Sequence, residues 1–155
     1  ISYFEEDMTD FSLHKPADVV LCICDSMNYL LSTEEIFAMF RCIKEALAED
    51  GVAILDMKTA YCFQKVMGNQ TRVDETEEAL MIWDNTYDEE TCINEYLLTI
   101  FTEDKATGMY ARYDECHEQR AYTEDEIKSC LQEASLRLVK SWTEDEVRTY
   151  FVIQR

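Results

Sequence analysis

A short apolar run that stops at a polar loop constrains the fold of this chain more than any other feature. The run is Val19–Cys24, and the polar loop is Asp25–Asn28. After a helical stretch, a second apolar run, Val52–Leu55, ends in an aspartate. Continuous apolar runs joined through a helix predict a βαβ unit of a buried parallel sheet. Ligands of such sheets bind outside the carboxyl ends of the strands, so Asp25–Tyr29 and Asp56–Tyr61 form the first candidate site.

Composition and charge exclude several classes of function. The chain has 155 residues, 47% of them hydrophobic, which is enough for a packed domain and too much for a disordered one. Its net charge of −19 repels phosphate backbones and anionic lipid surfaces. We therefore expect no nucleic acid and no membrane as partner, and no run of the sequence is long and apolar enough to span a bilayer.

Seven cysteines, most of them within apolar runs, indicate buried and reduced thiols in a cytoplasmic protein. Their number is odd and no CxxC pair occurs, so neither a disulfide framework nor a zinc site is expected. The chain begins with Ile1 rather than methionine, from which we expect processing, truncation or a preceding segment.

Two helices carry clear start signals. Ser32 with Glu35, and Thr123 with Glu126, have the spacing of capping boxes and precede apolar residues at helical intervals. We expect the first helix to end at Asp50-Gly51, where glycine suits the left-handed position after a helix. Residues 59–67 are expected to form one or two further helical turns.

From about residue 70 the helical period disappears and strands dominate. We expect an antiparallel meander of Ala79–Thr86, Cys92–Thr102 and Gly108–Ala121, with Gln70–Asp74 as a candidate fourth strand. After the second helix, two strands, 136–142 and 147–153, are joined by so short a turn that they must pair antiparallel. The prediction is an α/β fold with three regions: residues 1–69, an insertion at 70–121, and 122–155.

This order of elements, and several short stretches, resemble the C-terminal part of the class I S-adenosylmethionine-dependent methyltransferases, in particular a bacterial small-molecule branch. The stretches are Glu6–Met8, Asp18–Leu30, Leu47–Gly51, Ile54–Asp56, Trp83–Tyr87 and Glu115–Ile127. The resemblance implies a partial Rossmann-like sheet of parallel strands plus a C-terminal antiparallel strand, with the meander as a substrate cover. It implies S-adenosyl-L-methionine as cofactor.

One part of the family's pattern is missing. The glycine-rich loop that holds the methionine and ribose end of the cofactor does not occur, since the only glycines are Gly51, Gly68 and Gly108. By resemblance the chain starts at the family's third strand. The Val19–Cys24 strand then has an exposed apolar edge, which is an aggregation hazard. We expect this edge to be covered by a segment outside the sequence or by a second copy, as a homodimer.

The resemblance assigns five residues to the cofactor. Asp7 and Met8 match the position that holds adenine, and the alternative is an exposed acidic loop. Cys24, Asp25 and Ser26 match the loop near the sulfonium and amino group, and the alternative is turn capping by Asp25 or Ser26.

Candidate residues for the reaction lie at the same mouth and in the last meander strand. His117 is a candidate general base, because imidazole exchanges protons near neutral pH, and Tyr29 is a second catalytic candidate that can equally be a packed ring. Arg120 can hold a substrate carboxylate, and Asn28 and Tyr61 face the predicted substrate side. Cross-strand pairing on a wet face is the alternative for His117 and Arg120, which point to opposite faces of a strand.

Two functions remain open at the level of sequence. The first is methyl transfer from S-adenosylmethionine to a small molecule by the complete protein, with this fragment alone inactive. The second is a non-catalytic module, derived from a methyltransferase fold, that dimerises or binds a partner.

Overall fold

Two four-stranded sheets and two helices make up the structure, a computed structural model that describes residues 1–155. The strands are β1 (Ala17–Cys22), β2 (Leu47–Lys58), β3 (Gln70–Glu75), β4 (Ala79–Asp88), β5 (Ile93–Asp104), β6 (Met109–Arg120), β7 (Arg137–Glu144) and β8 (Arg148–Gln154). The helices are α1 (Thr33–Ala46) and α2 (Glu124–Glu133), with a 3₁₀ turn at Ser26–Tyr29 and a π-helical turn at Cys62–Met67. Neither α1 nor α2 has the length and apolar character that a membrane-spanning helix needs.

The first sheet has the order β1-β2-β8-β7 and confirms the predicted α/β fold. β1 and β2 run parallel, with Val19 beside Val52 and Leu21 beside Ile54. β8 is antiparallel to β2, as expected for a C-terminal strand of the resembled fold. Both helices pack on one face of this sheet, where the main core includes Phe40, Leu55, Ile127 and Phe151.

Both capping boxes form as predicted, but the end predicted for the first helix is wrong. α1 stops at Ala46, and Leu47, which is fully buried, already begins β2 beside Ala17. Gly51 is therefore a strand residue rather than a helix cap. A Cβ at this position would lie 2.9 Å from the carbonyl oxygen of Ala17, so the close approach of β1, at an irregularity in its register, explains the glycine.

The second sheet is the predicted antiparallel meander, including its fourth strand, in the order β3-β4-β5-β6. One of its faces turns towards the first sheet at the end where β4, β5 and β6 carry Asn85, Asn94 and Gln119. These three amides are almost fully buried, and Asn85 and Asn94 exchange two hydrogen bonds of 2.9 Å. Buried polar groups are tolerated when they are paired in this way.

β1 is an edge strand, and its apolar side chains are open to solvent. Val19 and Leu21 are more than half exposed, because no helix covers the face of the sheet opposite α1. The exposed apolar edge predicted from the sequence is thus present.

The expectation that most cysteines are buried holds only in part. All seven are unpaired thiols, but Cys24 and Cys116 are exposed. β1 ends at Cys22 rather than at Cys24, so the latter lies in the loop, and Cys116 lies on the open face of the second sheet.

Candidate functional site

The loop after β1 has an unusual backbone that a buried carboxylate holds in place. Cys24 and Asp25 both adopt the left-handed conformation, with φ of 61° and 55°. Each such non-glycine residue costs about 1–2 kcal/mol. The carboxylate of Asp56, at the end of β2, accepts hydrogen bonds from both main-chain N–H groups, at 3.1 and 2.6 Å. Local strain of this kind concentrates at functional sites.

Four charged side chains form a closed cluster beneath this loop. Asp25 accepts from Lys58 at 2.8 Å and from Arg148 at 2.8 Å, and Arg148 also donates to Asp56 at 2.6 Å. Gln119 of β6 adds a hydrogen bond to Asp25 at 3.0 Å. Burial acts to raise the pKa of Asp25, but these donors together outweigh it and hold the pKa below its ordinary value. The cluster joins β1, β2, β8 and the second sheet.

The predicted cofactor residues of this loop therefore have partners within the chain. The carboxylate of Asp25 is used by the cluster, and the hydroxyl of Ser26 donates to the carbonyl of Ile23 at 2.8 Å. The side chain of Ser26 thus bonds within its own turn, as the turn-capping alternative predicts. Cofactor contact by Cys24, Asp25 and Ser26 remains a prediction.

Asp7 and Met8 lie in a short turn beside an apolar groove. The carboxylate of Asp7 accepts from the N–H and the hydroxyl of Thr9, both at 2.7 Å and both through Oδ1, and these bonds lower its pKa. Oδ2 keeps free acceptor capacity. The groove has a volume of about 280 Å³, and its wall includes Met8, Phe11, Ile23 and Ser26.

Asn28 has a structural role in the chain. Its side chain is fully buried, donates to the carbonyls of Lys58 and Arg120 at 3.1 and 2.8 Å, and accepts from the N–H of Lys58 at 2.8 Å. It thereby holds the 3₁₀ turn against β2 and β6. Both N–H donors of its amide are used by these bonds, and substrate contact remains a prediction.

An aromatic cluster connects the 3₁₀ turn with the second sheet. The hydroxyl of Tyr29 lies 2.5 Å from that of Tyr96 and 3.3 Å from Nδ1 of His117. The ring of Tyr96 stacks on His117 at 4.7 Å and on Trp83 at 4.6 Å. Nε2 of His117 lies 3.1 Å from the carboxylate of Glu115. The two residues predicted as catalytic, His117 and Tyr29, are thus in contact.

Arg120 and Tyr61 lie apart from this cluster. Arg120 pairs with Glu126 at 2.9 Å, donates to the carbonyl of Leu31 at 3.2 Å and stacks over Tyr122. His117 and Arg120 point to different faces of β6, as strand alternation predicts. Tyr61 is partly exposed at the start of the π-helical turn. The substrate contacts predicted for Arg120 and Tyr61 remain predictions.

Sequence reasoning missed four residues that complete the site: Tyr96, Trp83, Lys58 and Arg148. The position of Lys58, two residues after Asp56 at the carboxyl end of β2, was a usable signal. Tyr96 and Trp83 could be found only from the register of the meander, which sets Tyr96 opposite His117. Arg148 required the pairing of β8 with β2.

Comparison with known proteins supports the resemblance seen in the sequence. No family model matches the chain. A protein of Geobacillus sp. (strain WCH70), named "Putative methyltransferase", is 31% identical over 140 residues, which are 90% of this chain and 56% of that protein. "Putative methyltransferase YqeM" of Bacillus subtilis (strain 168) is 25% identical over 141 residues, 89% of this chain and 56% of its own length. The chain thus spans about half the length of these curated relatives.

Solved structures share the fold. An S-adenosylmethionine-dependent methyltransferase from Clostridium acetobutylicum ATCC 824 matches with a TM-score of 0.85 at 24% identity, over 96% of this chain and 62% of that one. S-adenosylmethionine-bound CalS10, an amino pentose methyltransferase from Micromonospora echinaspora, matches with a TM-score of 0.63 at 17% identity, over 95% of this chain and 62% of its own. The chain therefore has a class I methyltransferase fold.

Proposed function

We propose that the protein containing these 155 residues transfers a methyl group from S-adenosyl-L-methionine to an amine or hydroxyl of a small molecule. The observation that carries the proposal is the contact between Tyr29 and His117, with Glu115 behind the imidazole, at the carboxyl ends of the parallel strands. This position is where α/β sheets bind their ligands. We propose the cytoplasm as its location, in keeping with seven unpaired thiols.

The residues present fit the adenine end of the cofactor. The groove beside Met8 is mostly apolar, which suits a flat base, and the free Oδ2 of Asp7 can accept a hydrogen bond from an exocyclic amine. Asp7 and Met8 would hold the base, and the loop Cys24–Ser26 would border the sulfonium end. When bound, the cofactor supplies an electrophilic methyl group. Because the chain lacks a glycine-rich loop, we propose that it binds the cofactor weakly on its own.

The arrangement around His117 explains how a proton could leave the acceptor. If Nε2–H of His117 donates a hydrogen bond to the carboxylate of Glu115, then Nδ1 carries the lone pair and points towards the aromatic cluster. Nδ1 can then accept the proton that the acceptor nitrogen or oxygen releases, and Glu115 stabilises the resulting imidazolium. Tyr29, fixed by its bond to Tyr96, orients the nucleophile. Positioning of the reactants supplies much of the acceleration in such reactions.

A comparison of variants in the full-length protein tests this proposal. Methyl transfer from labelled S-adenosylmethionine to a protein-free extract of small molecules should fall about 10²–10⁴-fold in His117→Gln. The affinity for S-adenosylhomocysteine, measured by isothermal titration, should not change. Arg112→Gln, a change on the opposite face of the sheet, is the matched control.

Three results would each contradict one part of the proposal. If the full-length protein did not bind S-adenosylhomocysteine, the proposed methyl transfer would be wrong. If His117→Gln and Tyr29→Phe both transferred methyl groups at the wild-type rate, the roles proposed for these two residues would be wrong. Micromolar binding of S-adenosylhomocysteine by the 155-residue chain alone would show that the weak-binding argument is wrong.

The open edge of β1 supports a second candidate, a non-catalytic module that dimerises or binds a partner. Val19 and Leu21 are exposed on this edge strand, and a second copy would bury them. Sedimentation equilibrium of the full-length protein, combined with S-adenosylhomocysteine binding, distinguishes the methyltransferase from the non-catalytic module. A dimer that dissociates in Leu21→Lys, together with no affinity for S-adenosylhomocysteine, would favour the module, and a monomer would exclude the dimer.

A further inference from the structure

A second cavity lies against Trp83, on the side of this residue that faces away from Tyr96 and His117. It has a volume of about 280 Å³ and lies between the turn after β2 and the face of β3 and β4. Its lining combines apolar and polar side chains: Met67, Met81 and Trp83, with Lys58, Gln70, Arg72, Asp74 and Asn85. A small apolar cavity with a few polar groups at fixed positions is typical of a small-molecule site.

Arg72 brings a positive charge without an ion pair to this cavity. Its guanidinium makes no ion pair and donates only from Nη2, to the carbonyl of Val66 at 2.6 Å. Four of its five N–H donors are therefore free. By contrast, the ammonium of Lys58 is held by Asp25 and Gln119. A free guanidinium is notable in a chain with 33 acidic and 14 basic residues.

Arg72 is the cation that this cavity leaves open to a ligand. Lys58 lines the cavity as well, but its ammonium is paired with Asp25. Asp74, two residues after Arg72 on the same face of β3, contributes one negative charge. One guanidinium with a carboxylate nearby suits a singly charged carboxylate ligand better than a doubly charged phosphate. The planar guanidinium also matches the two oxygens of a carboxylate.

Trp83 connects this cavity with the proposed site of methyl transfer. Arg72 lies directly opposite Trp83 in the sheet, and from Trp83 the stack continues to Tyr96 and His117 in steps of 4.6 and 4.7 Å. A carboxylate at Arg72 and a nucleophile at His117 are therefore separated by the width of this stack, which several bonds of one small molecule can span.

We propose that the methyl acceptor carries a carboxylate several bonds from its nucleophile, and that Arg72 binds this carboxylate beside Trp83. The inference rests on the proposed methyl transfer, whose site it extends. It adds a class of substrate, an amino or hydroxy acid with a flat or apolar middle part that packs on Trp83.

Binding of two matched probes tests the inference without any methyl transfer. The probes are 4-(aminomethyl)benzoate and its neutral amide, 4-(aminomethyl)benzamide. They are titrated into the ¹⁵N-labelled chain while the indole N–H signal of Trp83 is followed. Trp142→Phe assigns that signal, because the chain has two tryptophans, and fluorescence quenching in the same variant gives an independent measurement.

We expect the benzoate to bind at least tenfold more tightly than the benzamide. Arg72→Gln should abolish the difference, and Arg112→Gln should preserve it, because Arg112 is exposed and paired with Asp114 on the opposite face. Equal affinities, no binding of either probe, or a preference that survives Arg72→Gln would overturn the inference. The proposed function fails separately, through absence of S-adenosylhomocysteine binding by the full-length protein.

Discussion

Replacing Asp56 by asparagine tests whether the carboxylate at the end of β2 holds the loop after β1. Asp56 is 5% exposed and accepts from two main-chain N–H groups and from Arg148. Asparagine has the same shape, but it is neutral and places an NH₂ group against one of these donors. Breaking a buried ion pair costs about 3–5 kcal/mol, and a buried donor without a partner costs about 1–3 kcal/mol.

The two costs overlap, because Oδ1 of Asp56 accepts both from Arg148 and from the N–H of Asp25, so we expect a loss of about 4 kcal/mol. For a domain of this size, each kcal/mol lowers the melting temperature by about 2–4 °C, which gives a decrease of about 8–16 °C. Urea unfolding and calorimetry of the 155-residue chain measure both values. Asp114→Asn, which removes an ion pair whose side chains are more than half exposed, should leave the melting temperature unchanged.

The double variant Asp56→Asn/Arg148→Met sharpens the test. If the two side chains stabilise each other, the double variant should lose clearly less stability than the sum of the single variants. A loss of less than about 1 kcal/mol in Asp56→Asn, or additive effects in the double variant, would refute the argument that this pair fixes the loop.

Four other positions give measurable outcomes. Burial acts to raise the pKa of Asp25, but its hydrogen bonds lower the pKa in the folded protein. The ionised carboxylate therefore stabilises the fold above about pH 4, and this stabilisation is lost as the pH falls through the pKa of the folded state. Asp25→Asn should lose less stability than wild type between pH 7 and pH 3. Gly51→Ala should cost about 1–3 kcal/mol in urea unfolding, since its Cβ would meet the carbonyl of Ala17. Ser32→Ala should cost about 1 kcal/mol, because it removes the cap of α1. Burial, together with a neighbouring carboxylate, raises the pKa of Cys22 to about 11, so at pH 8 its thiol should react with Ellman's reagent only when the chain unfolds.

Three of these outcomes have a control at another position of the chain. Gly108→Ala meets no atom within 4 Å but places alanine at a φ of 66°, so it should show the cost of a left-handed backbone alone, about 1–2 kcal/mol, without a steric clash. Thr123→Ala should match Ser32→Ala, since it removes the same kind of cap from α2. Cys116, which is exposed, should react before unfolding. Parallel pH curves for wild type and Asp25→Asn, or rapid labelling of Cys22, would contradict the corresponding reasoning.

The fold could be predicted from the sequence where local signals determine structure. Ser32 and Thr123 mark helix starts through bonds within one turn, and the apolar runs around Val19 and Val52 indicate the parallel pair of β1 and β2. The expected burial of this pair holds for β2 but not for the face of β1 that carries Val19. The end of α1 could not be predicted, because Gly51 satisfies the rule for a helix cap and also the need for close approach of β1. Only the tertiary contact with Ala17 distinguishes the two.

The candidate site was less accessible, because its residues meet through pairings between distant strands. His117 and Tyr29 could be proposed from residue type and position, but Tyr96 joins them only through the register of β5 and β6. The partners of Asp25 illustrate the same limit, since Lys58, Gln119 and Arg148 come from three other strands.

The buried amides at the inner end of the second sheet have a consequence for where the sequence of this sheet can vary. Asn28, Asn94 and Gln119 fix the root of that sheet, while the hairpin between β5 and β6 at its opposite end is exposed. Substitutions at the tip leave the root bonds intact, whereas a single change at the root disturbs both sheets. Substitutions can therefore accumulate at the outer end of the second sheet, while the residues at its root are constrained by contacts with both sheets.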